Sequence, residues 1–103
     1  MAKLTLDANP SFSADVGIPI AGAPDALVSF TFKHRVRADL LQWLKELDGK
    51  PKGQAVAECV SGWDFDDEYN ATNVERLLEQ RIGAGDAIVN TYTEELIKAR
   101  TKN

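Results

Sequence analysis

The chain has 103 residues, with 12 Lys and Arg against 16 Asp and Glu, for a net charge of −4. That length accommodates a single domain over residues 1–103, and 44% hydrophobic with 27% charged residues excludes disordered and fibrous classes. One cysteine, Cys59, excludes an internal disulfide, and with a single histidine, His34, a conventional zinc site also fails.

The first third repeats every two residues. Phe12, Ala14, Val16, Ile18 and Ile20 alternate with Ser11, Ser13, Asp15, Gly17 and Pro19, the pattern of a half-buried antiparallel strand. Pro19 cannot donate to a ladder, which places the end of this strand at an edge or a bulge. After the breaker AGAPDA (21–26), Val28, Phe30 and Phe32 alternate with Ser29, Thr31 and Lys33, so the two strands are expected to pair through a loose loop. A shorter run, Lys3–Asp7, alternates Leu4 and Leu6 and is the candidate third strand.

The period then lengthens. Val36, Leu40, Trp43, Leu44 and Leu47 form one helical stripe. Asp39 and Gln42 are a capping pair if this helix starts late; the alternative is a start near Val36. DGKPKG (48–53) ends it. Val56, Cys59, Val60 and Trp63 share the face of a short second helix terminated by Gly62. Thr72 and Glu75 stand at capping-box spacing before Val74, Leu77, Leu78 and Ile82, with Gly83 as the stop. A last helix runs from about Asp86 to the C-terminus, with Ile88, Val89, Tyr92, Leu96 and Ala99 inward and a Glu94–Lys98 pair outside. Leu41, Val89 and Ile97 lie off the main stripes and count as spare apolar positions. The expected fold is α+β: an N-terminal antiparallel β-hairpin or three-strand meander, then about four α-helices. Residues 1–35 are mainly β and 36–103 mainly α.

Few residues point to chemistry. Asp64, Asp66, Glu68, Asn70, Thr72 and Glu75 have the spacing of a calcium loop, but Tyr69 occupies the position that needs a glycine, so no metal is expected there. Gly83-Ala84-Gly85 lacks the preceding strand and the lysine of a phosphate loop and reads as a helix-to-helix turn. Lys33, His34, Arg35 and Arg37 gather where strand passes to helix, as charges guarding a strand end do. His34 and Cys59 have no third group to orient them as base and nucleophile. No catalytic residue and no cofactor is expected.

Charge is unevenly shared: residues 1–53 carry +1 (seven basic, six acidic) and residues 54–103 carry −5 (five basic, ten acidic). The acidic half argues against nucleic acid or anionic lipid as partner. No stretch approaches the roughly 18 apolar residues of a membrane span, and MAKLTLDANP lacks the apolar core of a secretory signal, which points to the cytoplasm. Trp63, Phe65 and Tyr69 interleave with Asp64, Asp66, Asp67 and Glu68. One or two of these rings pack inside, and the rest form an aromatic-acidic patch suited to contact with another protein.

The passage VSFTFKHRVRADLLQWL (28–44), the segment GWDFDDEYN (62–70), the capped helix to Ile82 and the terminal helix with Tyr92 together resemble the small tail assembly chaperones of long-tailed bacteriophages. The likeness spans roughly residues 27–100. It implies a non-enzymatic, self-associating protein of the host bacterial cytoplasm that keeps the tape measure protein soluble and helps tail tube protein assemble around it. It also implies absence from finished virions. Two other classes remain: a minor structural tail or head-to-tail joining protein, which would persist in virions, and a small regulator that binds a host protein through the acidic half.

Overall fold

The computed structural model describes residues 5–97. The alternating segments form strands β1 (Ser11–Ile20) and β2 (Ala23–Lys33), antiparallel, with Phe12 opposite Phe32, Ala14 opposite Phe30 and Val16 opposite Val28. The even-numbered side chains of both strands face the helices: Val16, Ile18, Phe30 and Phe32 are buried and Phe12, Ala14 and Val28 pack beside them. The loop between the strands is tighter than expected. Ile20 pairs with Ala23, so only Ala21 and Gly22 turn the chain, and Gly22 takes a φ of +77°, where a side chain would be strained. Pro19 and Pro24 both fall where the ladder slips between Ile18 and Ile20, which spares two residues without a donor from regular pairing.

The third strand is not where the sequence placed it. Among the described residues of Lys3–Asp7 there is no strand, and Leu6 is fully exposed; Lys3 and Leu4 lie outside the described residues. The sheet is completed by β3 (Val60–Trp63), which pairs antiparallel with β2 in the order β1-β2-β3. Val60 and Trp63 therefore leave the helical face expected of them. The second helix is α2 (Lys52–Cys59), α1 being Arg37–Glu46. At Val60 the backbone turns extended (φ −105°, ψ 137°), and β3 satisfies backbone groups along the other edge of β2. Asp64 N continues that pairing by donating to Ser29 O at 3.0 Å.

Helix α1 starts at the earlier of its two candidate sites. Val36 is its N-cap, makes no side-chain cap and is 57% exposed, so it leaves the inward stripe that Leu40 and Trp43 carry. A 3₁₀ turn, Leu47–Gly49, follows. Helix α3 (Ala71–Gln80) is capped by Asn70, whose side chain accepts from Asn73 N at 2.8 Å, rather than by Thr72 with Glu75. It ends at Gln80, leaving Ile82 almost fully exposed beyond its stripe. Gly83 is not a left-handed stop either. A Cβ there would stand 2.9 Å from Pro19 Cγ, so the missing side chain lets the α3–α4 connection approach β1. Helix α4 (Ala84–Ile97) begins slightly before Asp86, which falls in its first turn and pairs with Lys52 Nζ at 2.8 Å. Ala99 and Lys98 lie outside the described residues.

The helices cover one face of the sheet: α4 lies on β1 and α2, and α3 on α2. The polar residues Ser11, Ser13, Asp15, Ser29, Thr31 and Lys33 fall on the other. At the centre stands Tyr92, wholly buried, with ring centroids 5.4 Å from both Phe32 and Trp43 and 6.1 Å from Phe12. Its hydroxyl donates to Lys33 O at 2.8 Å and accepts from Arg35 Nη1 at 2.9 Å. Burial pushes this phenol above its ordinary value, which keeps it a donor at any usual pH.

Glu58 is a strongly displaced carboxylate, and its role is structural. Glu58 accepts from Lys50 Nζ, from Gln54 Nε2 at 2.9 Å and from Trp43 Nε1 at 2.8 Å. The Lys50 bond, followed by the Gln54 bond, holds its carboxyl at about 2 against an ordinary 4.5. A lowered folded-state value contributes stability above the unfolded value, which is lost as pH falls toward the folded one. With the side chain 33% exposed, solvent screening reduces that contribution to about 1 kcal/mol. Between pH 6 and pH 2.5 the thermal midpoint of the wild type should fall further than that of Glu58→Gln; parallel profiles would show that the pairing contributes nothing.

Candidate functional site

Several of the residues that suggested chemistry, Lys33, Arg35, Cys59 and Asn70, are used to hold the fold. Lys33 Nζ donates to Ala57 O at 3.4 Å and Arg35 Nη1 to Glu58 O at 3.0 Å, so two cations of the basic cluster meet the final carbonyls of α2, where the helix dipole favours positive charge. Arg35 also lies 4.9 Å over the ring of Trp43. Cys59 is fully buried and burial pushes its thiol up to about 12, the state of an inert core cysteine. Asn70 of the calcium-like spacing is occupied in capping α3. Among the described residues no three His, Cys, Asp or Glu side chains gather where they could hold a metal ion.

Among the described residues, two grooves present surfaces that could meet another molecule. The first contains the three aromatics singled out in the sequence. Trp63, Phe65 and Tyr69 are all half-buried, and they pack mainly on one another. Trp63 meets Phe65 edge-on at 5.0 Å and Tyr69 at 5.1 Å, and Phe30 backs both Trp63 (6.2 Å) and Phe65 (5.9 Å). Trp63 Nε1 donates to Asp67 O and Tyr69 OH to Val60 O, each at 2.8 Å, so both polar tips are already partnered. The structure thus brings the three rings together as a partly open cluster. Trp63 and Phe65 edge a shallow groove of about 300 Å³ against α3, closed by Leu77 and by the polar residues Asn73, Arg76 and Arg81.

The second surface is a larger groove of about 560 Å³ between the start of α1 and the end of α4. Leu40 and Leu96 form its inner part, and Val36, Leu41 and Ile97, 57%, 51% and 51% exposed, form its outer part. Leu41 and Ile97 are two of the three spare apolar positions recognised from periodicity. The third, Val89, is 5% exposed, because α4 is enclosed by β1 on one side and α2 and α3 on the other, which widens its buried face beyond a single stripe. Val36 was missed as a surface residue because its spacing fits the inward stripe of α1. The available signal was its place as the last residue before the helix, following the polar run Lys33-His34-Arg35.

Among the described residues no helix is long and apolar enough to cross a membrane. The sequence matches, over residues 1–103, a family model described as phage tail assembly chaperone. No curated protein and no solved structure matches it.

Proposed function

The chain belongs to the phage tail assembly chaperone family, and we propose that it binds the phage tape measure protein in the host bacterial cytoplasm and promotes assembly of tail tube protein around it. The observation that carries this reading is the apolar groove between α1 and α4. Three large apolar side chains, each more than half exposed, converge there, and such surface is costly to leave in water unless a partner covers it. The half-open rings of Trp63, Phe65 and Tyr69 supply a second contact elsewhere on the chain, smaller because their polar tips already bond within the chain. Both surfaces act by covering a client, a role that uses no catalytic residue and no cofactor. Without client, self-association into a homo-oligomer covers the same apolar surface.

Co-expression with the tape measure protein should raise the soluble fraction of that client, and light scattering on the chain alone should show a species larger than a monomer. A strict monomer that neither binds nor solubilises the tape measure protein overturns the proposal. Recovery of the chain in purified virions would identify a structural tail component instead.

A further inference from the structure

We infer that the groove between α1 and α4 receives an amphipathic helix whose apolar stripe is flanked by acidic side chains. The inference rests on the chaperone reading and adds to it the charge pattern that the bound client segment must carry. Three observations lead to it.

The first is concentration of apolar surface. Of the six large hydrophobic residues exposed among the described residues, Val36, Leu41 and Ile97 line this one groove, over a floor of Leu40 and Leu96. Singly scattered exposed hydrophobics are ordinary; three gathered over an apolar floor make a contact surface.

The second is the kind of backbone it can accept. An extended peptide needs a sheet edge or other backbone groups to pair with its own amides. This groove is lined by the connection from His34 to Val36, by the start of α1 and by the end of α4, and among the described residues no strand residue borders it, so it offers no sheet edge to an extended peptide. A helical segment satisfies its own backbone and presents side chains at i, i+3, i+4 and i+7 to an apolar trough.

The third is charge. His34, Arg35 and Arg37 rim the groove and no carboxylate lines it, in a chain whose net charge is −4. Neither arginine forms a salt bridge among the described residues. Helix α3, where Glu75 and Glu79 accompany Val74 and Leu78, turns that stripe into its own core and does not offer it to a second copy. Complementarity therefore selects a partner helix with Asp or Glu beside its apolar stripe.

The test uses the full chain and three synthetic helical peptides that share one apolar stripe, flanked by Glu, Gln or Lys. Fluorescence anisotropy at low ionic strength should show the Glu peptide binding about tenfold or more tightly than the Lys peptide, with Gln between, and the difference should shrink as salt is raised. Leu41→Ser should remove most binding while leaving the melting curve near wild type, since Leu41 is 51% exposed. Arg37→Glu should reverse the order of the Glu and Lys peptides. Equal affinity for all three, preference for the Lys peptide, no binding of any, or insensitivity to Leu41→Ser each overturns the inference. So does a Leu41→Ser variant that loses self-association when no peptide binds the wild type, because the groove then belongs to a second copy. Tape measure rescue without selective peptide binding defeats this inference alone, whereas selective peptide binding without rescue defeats the chaperone reading alone.

Discussion

Trp43→Ala should destabilise the protein by about 3–5 kcal/mol, a large fraction of the roughly 5–15 kcal/mol that holds a small domain folded. Trp43 is 4% exposed and meets Tyr92 edge-on at 5.4 Å, so truncation leaves a cavity where two elements join. The loss is not only apolar. Arg35 lies 4.9 Å and Lys50 Nζ 5.6 Å from the ring centroid, and Nε1 donates to Glu58, so the same ring faces two cations and anchors the carboxylate that binds Lys50. Urea denaturation followed by circular dichroism should show the midpoint displaced far toward lower urea, or a protein already partly unfolded in buffer. A variant that unfolds as the wild type does would mean that α1 presents another face to the core.

Tyr92→Ala should cost about 4–5 kcal/mol, and Tyr92→Phe about 1–2 kcal/mol, because the two substitutions separate packing from hydrogen bonding. The ring is wholly buried among Phe12, Phe32 and Trp43, which accounts for the larger figure. Removing the hydroxyl alone leaves Lys33 O without this donor and takes from Arg35 Nη1 one of its two acceptors, the other being Glu58 O, at the junction of β2, α2 and α4. Since Trp43 and Tyr92 touch, the double Ala variant should cost less than the sum of the singles. Equal stability of Tyr92→Phe and wild type in urea would show that the hydroxyl bonds make no net contribution.

Gly83 and Val60 show how far a single chain of letters reaches. Gly83 is recognisable as punctuation after a helix, but its reason is a close approach to Pro19, 64 residues earlier in sequence, which no local pattern records. Val60 fits the helical spacing of Val56 and Cys59, and Val60 and Trp63 stand three apart, which is itself a helical and not an alternating spacing. What removes it from the helix is an available edge of β2 that offers backbone partners. The same holds for the cap of α3. Asn70 and Thr72 are both good caps by residue type, and the choice between them depends on where the preceding aromatic turn, tied by Tyr69 to Val60, delivers the chain.

The candidate surfaces divide in the same way. Trp63, Phe65 and Tyr69 were legible as a cluster from composition, but their mutual edge-on packing over Phe30 requires β3 beside β2. Leu41 and Ile97 were legible as outward residues from periodicity alone, although nothing local says that positions 56 residues apart share a groove.

The sequence by itself determined the hairpin, the α+β class, the inward faces of α1, α3 and α4, and the acidic balance, because each follows from spacing or count along a contiguous stretch. Tertiary structure alone decided the third strand, the roles of Lys33 and Arg35 at the end of α2, and the meeting of α1 with α4 in a basic-rimmed groove. Those features arise from side chains and backbone groups far apart in the chain, whose pairing is settled only when burial and hydrogen bonding are satisfied for the whole core at once.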